Sequence, residues 1–138
     1  MAKVSWILLA KDVLRDTEDN TIIVSPLTTI ILNKFPQTTN FKVGFGLKDV
    51  TAKDDKILLG IGKIDNNENV EMLVQSEIEL PKIFNDSQAK YADFESSVVL
   101  NNFEFREKGK YFASIQTNEQ KGLTTHFNVT TKARNDNE

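Results

Sequence analysis

Residues 41–48 have the sequence Phe41-Lys42-Val43-Gly44-Phe45-Gly46-Leu47-Lys48. Every odd position is apolar, and every even position is a lysine or a glycine. An alternation with a period of two is typical of a β-strand that buries one face and leaves the other open. The stretch therefore predicts a strand whose odd-numbered side chains enter a core.

The same period recurs along most of the chain. Within residues 70–80 it predicts one inner line, on which Ser76 is the only polar residue and the apolar members are Val70, Met72, Val74, Ile78 and Leu80. Turn-forming residues at 65–69 and 118–122 separate alternating runs and predict two hairpins. In the second hairpin Tyr111, Ala113 and Ile115 share one face before the turn, and Leu123, Phe127 and Val129 share one face after it.

Further β-branched runs at 4–14, 21–32, 56–64 and 95–105 bring the total to about eight strands. Their spacing predicts an all-β fold, an antiparallel β-sandwich of the immunoglobulin-like or C2-like kind. Residues 81–94 lack the period of two, so we expect a long crossover between the sheets, with a short helix over 88–93. We expect one domain over residues 1–131, followed by a polar, frayed tail at 132–138.

Composition excludes several classes of protein. The 138 residues include no cysteine, which excludes disulfides and cysteine-based zinc sites and favours a cytoplasmic location. The apolar run at residues 6–10 is too short for a signal peptide, and no run has the length that a membrane span needs. A net charge of −3 argues against binding to nucleic acid. No cofactor motif is present, because neither Gly-x-Gly stretch precedes a predicted helix.

Glycines at alternate strand positions suggest a docking surface. If the strands pair through the turn near Lys53, the register brings together Gly44, Gly46, Gly60 and Gly62. The result would be a shallow floor bordered by Lys42, Lys48, Leu58 and Ile64, which we interpret as a docking site for a partner chain. Glycine weakens a strand interior, so the alternative explanation is strong curvature or cover by the protein's own crossover.

A calcium site is a second hypothesis. Asp65, Asn67 and Asn69 match the first three oxygen-ligand positions of an EF-hand loop, but Val70 stands where that loop needs glycine. Calcium could instead bind between loops of the sandwich, with Asp54 and Asp55 contributing. A plain hairpin turn is the preferred explanation, because turn chemistry alone accounts for the residues at 65–69.

Catalysis is the least supported class. Glu77 and Glu79 lie two residues apart on one predicted face, at a separation of about 7 Å that suits paired-carboxylate hydrolysis. A catalytic acid needs burial to raise its pKa, and an exposed strand face does not offer it. His126 is the only histidine, and its predicted position points outward, which is typical of a surface residue.

Three short features resemble a known group of proteins: the opening segment Leu8-Leu9-Ala10-Lys11-Asp12, the Phe35-Pro36 step, and the pair Gly109 and Tyr111. Over residues 3–130 the chain resembles a family of small bacterial and phage β-sandwich proteins of unknown function. The resemblance implies a β-sandwich without an established activity, and it assigns no site residues.

These observations predict a noncatalytic protein-interaction module or accessory subunit, with a protein partner or a second copy of the chain as its ligand. A sandwich that binds calcium or a small ligand through its loops is the alternative, and a hydrolase is the third hypothesis.

Overall fold

The computed structural model describes residues 2–81, 92–118 and 121–132. These residues form nine β-strands and no helix. The strands are β1 (Lys3–Arg15), β2 (Thr21–Leu27), β3 (Thr29–Leu32), β4 (Gln37–Val50), β5 (Lys56–Ile64), β6 (Val70–Glu79), β7 (Ala92–Phe105), β8 (Gly109–Gln116) and β9 (Gly122–Thr131). None of the described residues belongs to a helix long and apolar enough to cross a membrane.

The strands form two packed sheets. The four-stranded sheet has the order β2-β1-β4-β7, and the five-stranded sheet has the order β3-β9-β8-β5-β6. All neighbours are antiparallel except β3 and β9, which run parallel. The predicted all-β sandwich is therefore confirmed, and so are the hairpins β5–β6 and β8–β9.

The core lies where the alternating strands face each other. The odd-numbered residues of 41–47 are buried as predicted, and Phe45 is 2% exposed. At one end of the core, aromatic rings from both sheets meet: the Phe105 ring lies 5.1 Å from Tyr111 and 6.1 Å from Phe41. Such pairs contribute about 0.5–1.5 kcal/mol each beyond their buried area, so this cluster helps to fix how the sheets pack.

The run at 21–32 forms two strands rather than one. β2 belongs to the four-stranded sheet and β3 to the five-stranded sheet, so the chain changes sheet at Thr28. The first strand ends at Leu27, and it is irregular before its end, because Ser25 has a φ of 51° and Pro26 has no N–H to donate to a further strand. This break raises the strand count from the expected eight to nine.

Met72 does not lie in the core. Its side chain is 42% exposed, and Val70 is 58% exposed, although both were predicted on the inner line. The reason is a bulge, because Ile61 pairs with Val74 while the next residue, Gly62, pairs with Met72. One extra residue in β6 turns the preceding side chains to the other face of the sheet.

β6 belongs to the five-stranded sheet and β7 to the four-stranded sheet, so the chain changes sheet between these strands, as the predicted crossover does. Ala92 and Asp93 are the first residues of β7, so the expected helix over 88–93 is wrong at its last two positions. Residues 82–91, which hold the rest of that prediction, lie outside the described residues. The same is true of residues 133–138 in the expected tail.

Candidate interaction surface

The predicted glycine floor does not form, because its two strands do not pair. Gly44 and Gly46 lie in β4 of the four-stranded sheet, and Gly60 and Gly62 lie in β5 of the five-stranded sheet. Both strands direct their apolar rows into the shared core. The two glycine pairs therefore lie on opposite outer surfaces of the sandwich.

The residues expected to border the floor are separated in the same way. Lys42 and Lys48 lie with the first glycine pair in β4, whereas Leu58 and Ile64 lie with the second pair in β5. The physical reason is the connection at residues 51–55, which carries the chain from one sheet to the other instead of closing a hairpin.

An indole ring fills the space over the first glycine pair. Trp6 of β1 lies opposite Gly46 in the strand register, and a Cβ on Gly46 would lie 2.1 Å from the indole Nε1. A Cβ on Gly44 would lie 3.3 Å from another atom of the same ring and 3.3 Å from a methyl group of Val13. The missing side chains therefore make room for Trp6.

The second pair has a similar arrangement on the other sheet. Phe112 of β8 lies opposite Gly62, and a Cβ on Gly62 would lie 2.6 Å from the phenyl ring. A Cβ on Gly60 would meet the Ser114 hydroxyl at 2.8 Å and the Met72 methyl at 3.0 Å. On both outer faces, an aromatic ring from the neighbouring strand covers a strand glycine. The space over these glycines is therefore filled by the protein's own side chains.

The first hairpin also covers the outer face of the four-stranded sheet. We call its distal part, residues 11–24, the hairpin arm. Glu95 lies in β7, which β4 separates from β1, yet its carboxylate accepts hydrogen bonds from the Trp6 indole N–H (3.3 Å) and the Thr21 hydroxyl. Arg15 donates a hydrogen bond to the backbone carbonyl of Glu95. The arm therefore crosses the outer side of β4.

An ion pair holds the base of the arm. The Lys42 ammonium contacts the Asp12 carboxylate, and the Asp12 carboxylate also accepts the backbone N–H of Val13. The hydrogen bond from Lys42 lowers the pKa of Asp12. Lys42, which was expected to border a docking floor, therefore attaches the hairpin arm to the sheet.

The arm exposes apolar side chains on its outer surface. Leu14 is 45%, Ile22 42% and Val24 36% exposed. We call these three residues the arm patch. Leu14 lies opposite Ile22 in the β1–β2 register, so the two side chains are cross-strand neighbours. Within the described residues β2 pairs only with β1, and its second edge is therefore open.

Sequence reasoning identified these strands but missed the patch. The β-branched runs predict strands over residues 4–14 and 21–32, but the far ends of these strands were not considered as a surface. A usable signal exists in residues 16–20, where Asp-x-x-acid-Asn repeats the pattern at residues 65–69. Recognising this repeated hairpin turn would have placed Leu14 and Ile22 at the tip of a two-stranded ribbon.

The residues of the calcium hypothesis form a hydrogen-bonded turn. One carboxylate oxygen of Asp65 accepts the backbone N–H groups of Asn67 and Asn69, both at 2.8 Å, and the other accepts the Asn69 side-chain amide at 3.3 Å. The Asn69 N–H is the main cause of a lowered pKa at Asp65. In the hairpin arm, Asp16 accepts the N–H groups of Glu18 (2.9 Å) and Asn20 (2.8 Å) in the same way.

The other two proposed calcium ligands lie far from this turn. Asp54 and Asp55 precede β5, whereas Asp65 follows it, and a strand of this length separates them by roughly 30 Å. Asp54 accepts the Thr51 N–H at 2.8 Å, and Asp55 accepts the Asn118 amide at 3.1 Å. No group of three metal-ligating side chains occurs among residues 2–81, 92–118 and 121–132.

The side chains considered for catalysis are exposed. Glu77 forms an ion pair with Lys56 at 3.3 Å, and both side chains are open to solvent. Glu79 and His126 are exposed as well, with His126 opposite Phe112 on the outer face of the five-stranded sheet. Neither carboxylate has the burial that a catalytic acid requires.

A cleft of about 500 Å³ opens between β6 and β7, the edge strands of the two sheets. At its base the Lys63 ammonium lies 2.8 Å from the Glu107 carboxylate, and the Tyr111 hydroxyl donates to the Glu107 carbonyl at 2.6 Å. The hydrogen bond to Glu107 raises the pKa of Lys63, and burial raises the pKa of Tyr111. These groups therefore satisfy one another within the cleft.

A family model matches residues 5–130. The chain belongs to the family of unknown function DUF6941. The expected membership of an uncharacterised family is thus confirmed, while the bacterial or phage origin of this DUF6941 chain stays a prediction. No curated protein matches the chain.

Solved structures with a similar chain path include a β-glucosidase from Listeria innocua, with a TM-score of 0.49 and 10% identity over 94% of this chain. The alkylpurine DNA glycosylase AlkC from Pseudomonas fluorescens has a TM-score of 0.47 and 10% identity over 94% of this chain. The DUF6941 chain spans 16% of the first protein and 30% of the second. At these values the likeness carries no argument about function.

Proposed function

We propose that this chain is a noncatalytic protein-interaction module, and that the hairpin arm is its docking element. The observation that carries the proposal is the arm patch, in which three apolar side chains lie exposed beside the open edge of β2. An exposed edge strand with apolar neighbours is a template for pairing with another chain. Main-chain hydrogen bonds then supply affinity, and the side chains supply specificity.

The way the arm is held supports this role. Thr21 and Arg15 bond to Glu95, and Asp12 pairs with Lys42, so the arm that carries β2 is attached to the outer face of the four-stranded sheet. A preorganised strand loses less conformational entropy on binding than a free loop does. The arm is therefore suited to capture a partner strand.

The chemistry of the remaining candidates supports a noncatalytic role. Glu77, Glu79 and His126 are exposed, and the Asp65 oxygens are used within their own turn. We propose that the module acts as an accessory subunit of a larger assembly in the cytoplasm, where a chain without cysteine needs no disulfides.

The experiment compares partner capture from the native cell by three purified forms of the chain. The docking variant is Ile22→Glu on the edge strand β2. The matched control is Val99→Glu on β7, the opposite edge of the same sheet, where Val99 is 51% exposed. We expect a partner that binds the wild type and the control but not Ile22→Glu, and that binds in the same way after purification. Equal recovery by all three forms would refute the docking role.

A further inference from the structure

We propose that the hairpin arm pairs with the arm of a second copy of this chain, β2 against β2 in antiparallel orientation, so that the two four-stranded sheets become one sheet of eight. This inference rests on the proposed function and names its partner.

Charge distinguishes β2 from the other long edge strands. Residues 21–27 read Thr-Ile-Ile-Val-Ser-Pro-Leu and contain no charged side chain. The edge strand β6 carries Glu71, Glu77 and Glu79, and the edge strand β7 carries Asp93, Glu95 and Glu104. Pairing two copies of β6 or of β7 would place three carboxylates from each copy in one interface. Like charges on neighbouring strands destabilise a sheet, whereas two copies of β2 meet without that cost.

The end of the β2 edge limits the pairing. Pro26 has no N–H, and Ser25 has a positive φ, so the regular edge covers residues 21–24. A twofold axis beside Ile23 pairs residues 22–24 with the same residues of the second copy. In that register Ile22 lies opposite Val24 of the second copy, and Val24 lies opposite Ile22 of the second copy.

The parity of the register supports this arrangement. Ile22 and Val24 are exposed, while Ile23 is half-buried. A shift by one residue would place exposed Ile22 opposite half-buried Ile23 and would turn one sheet over relative to the other. With the axis beside Ile23, the exposed faces coincide, and the two arm patches join into one apolar surface. Because only residues 22–24 of each copy pair within the regular edge, we expect a weak, concentration-dependent dimer.

The first test measures molecular mass by sedimentation equilibrium over a wide range of protein concentrations. The wild type and Val99→Glu should approach the mass of a dimer as the concentration rises. Ile22→Glu and Val24→Glu should remain monomers that keep the wild-type circular-dichroism spectrum. A wild type that stays monomeric at every concentration, or a dimer that Ile22→Glu leaves intact, would overturn the inference.

The second test reads the register directly, because the chain has no native cysteine. Directly opposite residues of antiparallel strands have Cα atoms about 4.5–5.5 Å apart, which suits a disulfide. We expect oxidation of a mixture of Ile22→Cys and Val24→Cys chains to give the mixed dimer in excess of the statistical mixture. Preferred homodimers of either variant would contradict the register.

The two proposals fail separately. A monomeric wild type whose partner capture still depends on Ile22 would refute self-association and retain the interaction module. A monomer that also captures no partner through the arm would refute both.

Discussion

Trp6 occupies the space that a side chain on Gly46 would need. The two residues are paired in adjacent strands, and a Cβ on Gly46 would lie 2.1 Å from the indole Nε1. The same indole donates its N–H to Glu95, to which Thr21 and Arg15 of the hairpin arm also bond. The absence of side chains at Gly46 and Gly44 thus allows the indole to pack over β4. The indole shares Glu95 with the hairpin arm, which we propose as the docking element.

Replacing Gly46 with alanine should destabilise the fold by about 1–3 kcal/mol, because the added methyl group overlaps the indole ring. The matched control is Gly60→Ala, whose close neighbours are the hydroxyl of Ser114 and the terminal methyl of Met72. The Ser114 hydroxyl and the Met72 methyl can move more easily than a ring, so Gly60→Ala should lose less stability than Gly46→Ala. Urea unfolding, followed by the fluorescence of Trp6, the only tryptophan, measures the free energy of unfolding of both variants.

A double-mutant cycle tests the physical cause of that loss. If overlap with the indole is the reason, Gly46→Ala should cost much less in a Trp6→Ala background, where circular dichroism replaces fluorescence. An equal cost in both backgrounds would show that the destabilisation has another origin.

Glu95→Ala should release the hairpin arm from the sheet. The variant loses hydrogen bonds from Trp6 and Thr21, and we expect faster protease cleavage at residues 16–20 and a red-shifted Trp6 emission. Glu104→Ala on the same strand is the control, because Glu104 contacts only Arg106 among the described side-chain partners. Cleavage at the same rate in both variants would contradict the role of Glu95.

The two aspartate turns should make stability fall in acid. Hydrogen bonds from Asn20 and Asn69 lower the pKa of Asp16 and of Asp65 below the unfolded value of about 3.9. A depressed folded-state pKa stabilises the fold above the unfolded pKa, and this contribution is lost as the pH falls through the folded pKa. On acidification below about pH 4, the Tm of the double variant Asp16→Asn and Asp65→Asn should therefore fall less than the Tm of the wild type. Parallel curves would contradict this assignment.

Millimolar calcium should leave the Tm of the wild type unchanged. The oxygens of Asp65 already accept three hydrogen bonds in the turn, and Asp54 and Asp55 lie at the other end of β5. A thermal melt with and without calcium measures this, with Asp65→Asn as the comparison. A rise in Tm that the variant abolishes would revive the calcium hypothesis.

The alternation of apolar and polar side chains was sufficient to predict the sandwich. Burial of one strand face imposes this alternation on the local sequence. Residues 56–64 form a strand with the predicted bounds, and Phe45 is buried as expected. The change of sheet at Thr28 was missed because residues 21–32 are rich in β-branched residues on both sides of it. The inversion at Met72 could not be predicted, since a bulge depends on which strand pairs with β6.

The candidate site depends on long-range pairing even more strongly. Gly44 and Gly60 were correctly identified as strand glycines that need an explanation. The sequence around them, however, does not show which strands lie beside them. The structure places Trp6 and Phe112 on those neighbouring strands. In contrast, the turn at Asp65 was correctly interpreted from local residues alone, because an aspartate bonds to the backbone two and four residues ahead.

The most direct measurement of the central claim is amide hydrogen exchange of β2 at low and high protein concentration. If the arm docks through its edge, peptides covering residues 21–24 should exchange more slowly at high concentration, while peptides from the opposite edge strand β7 should not change. Exchange in β2 that is independent of concentration and of any added partner would contradict the account.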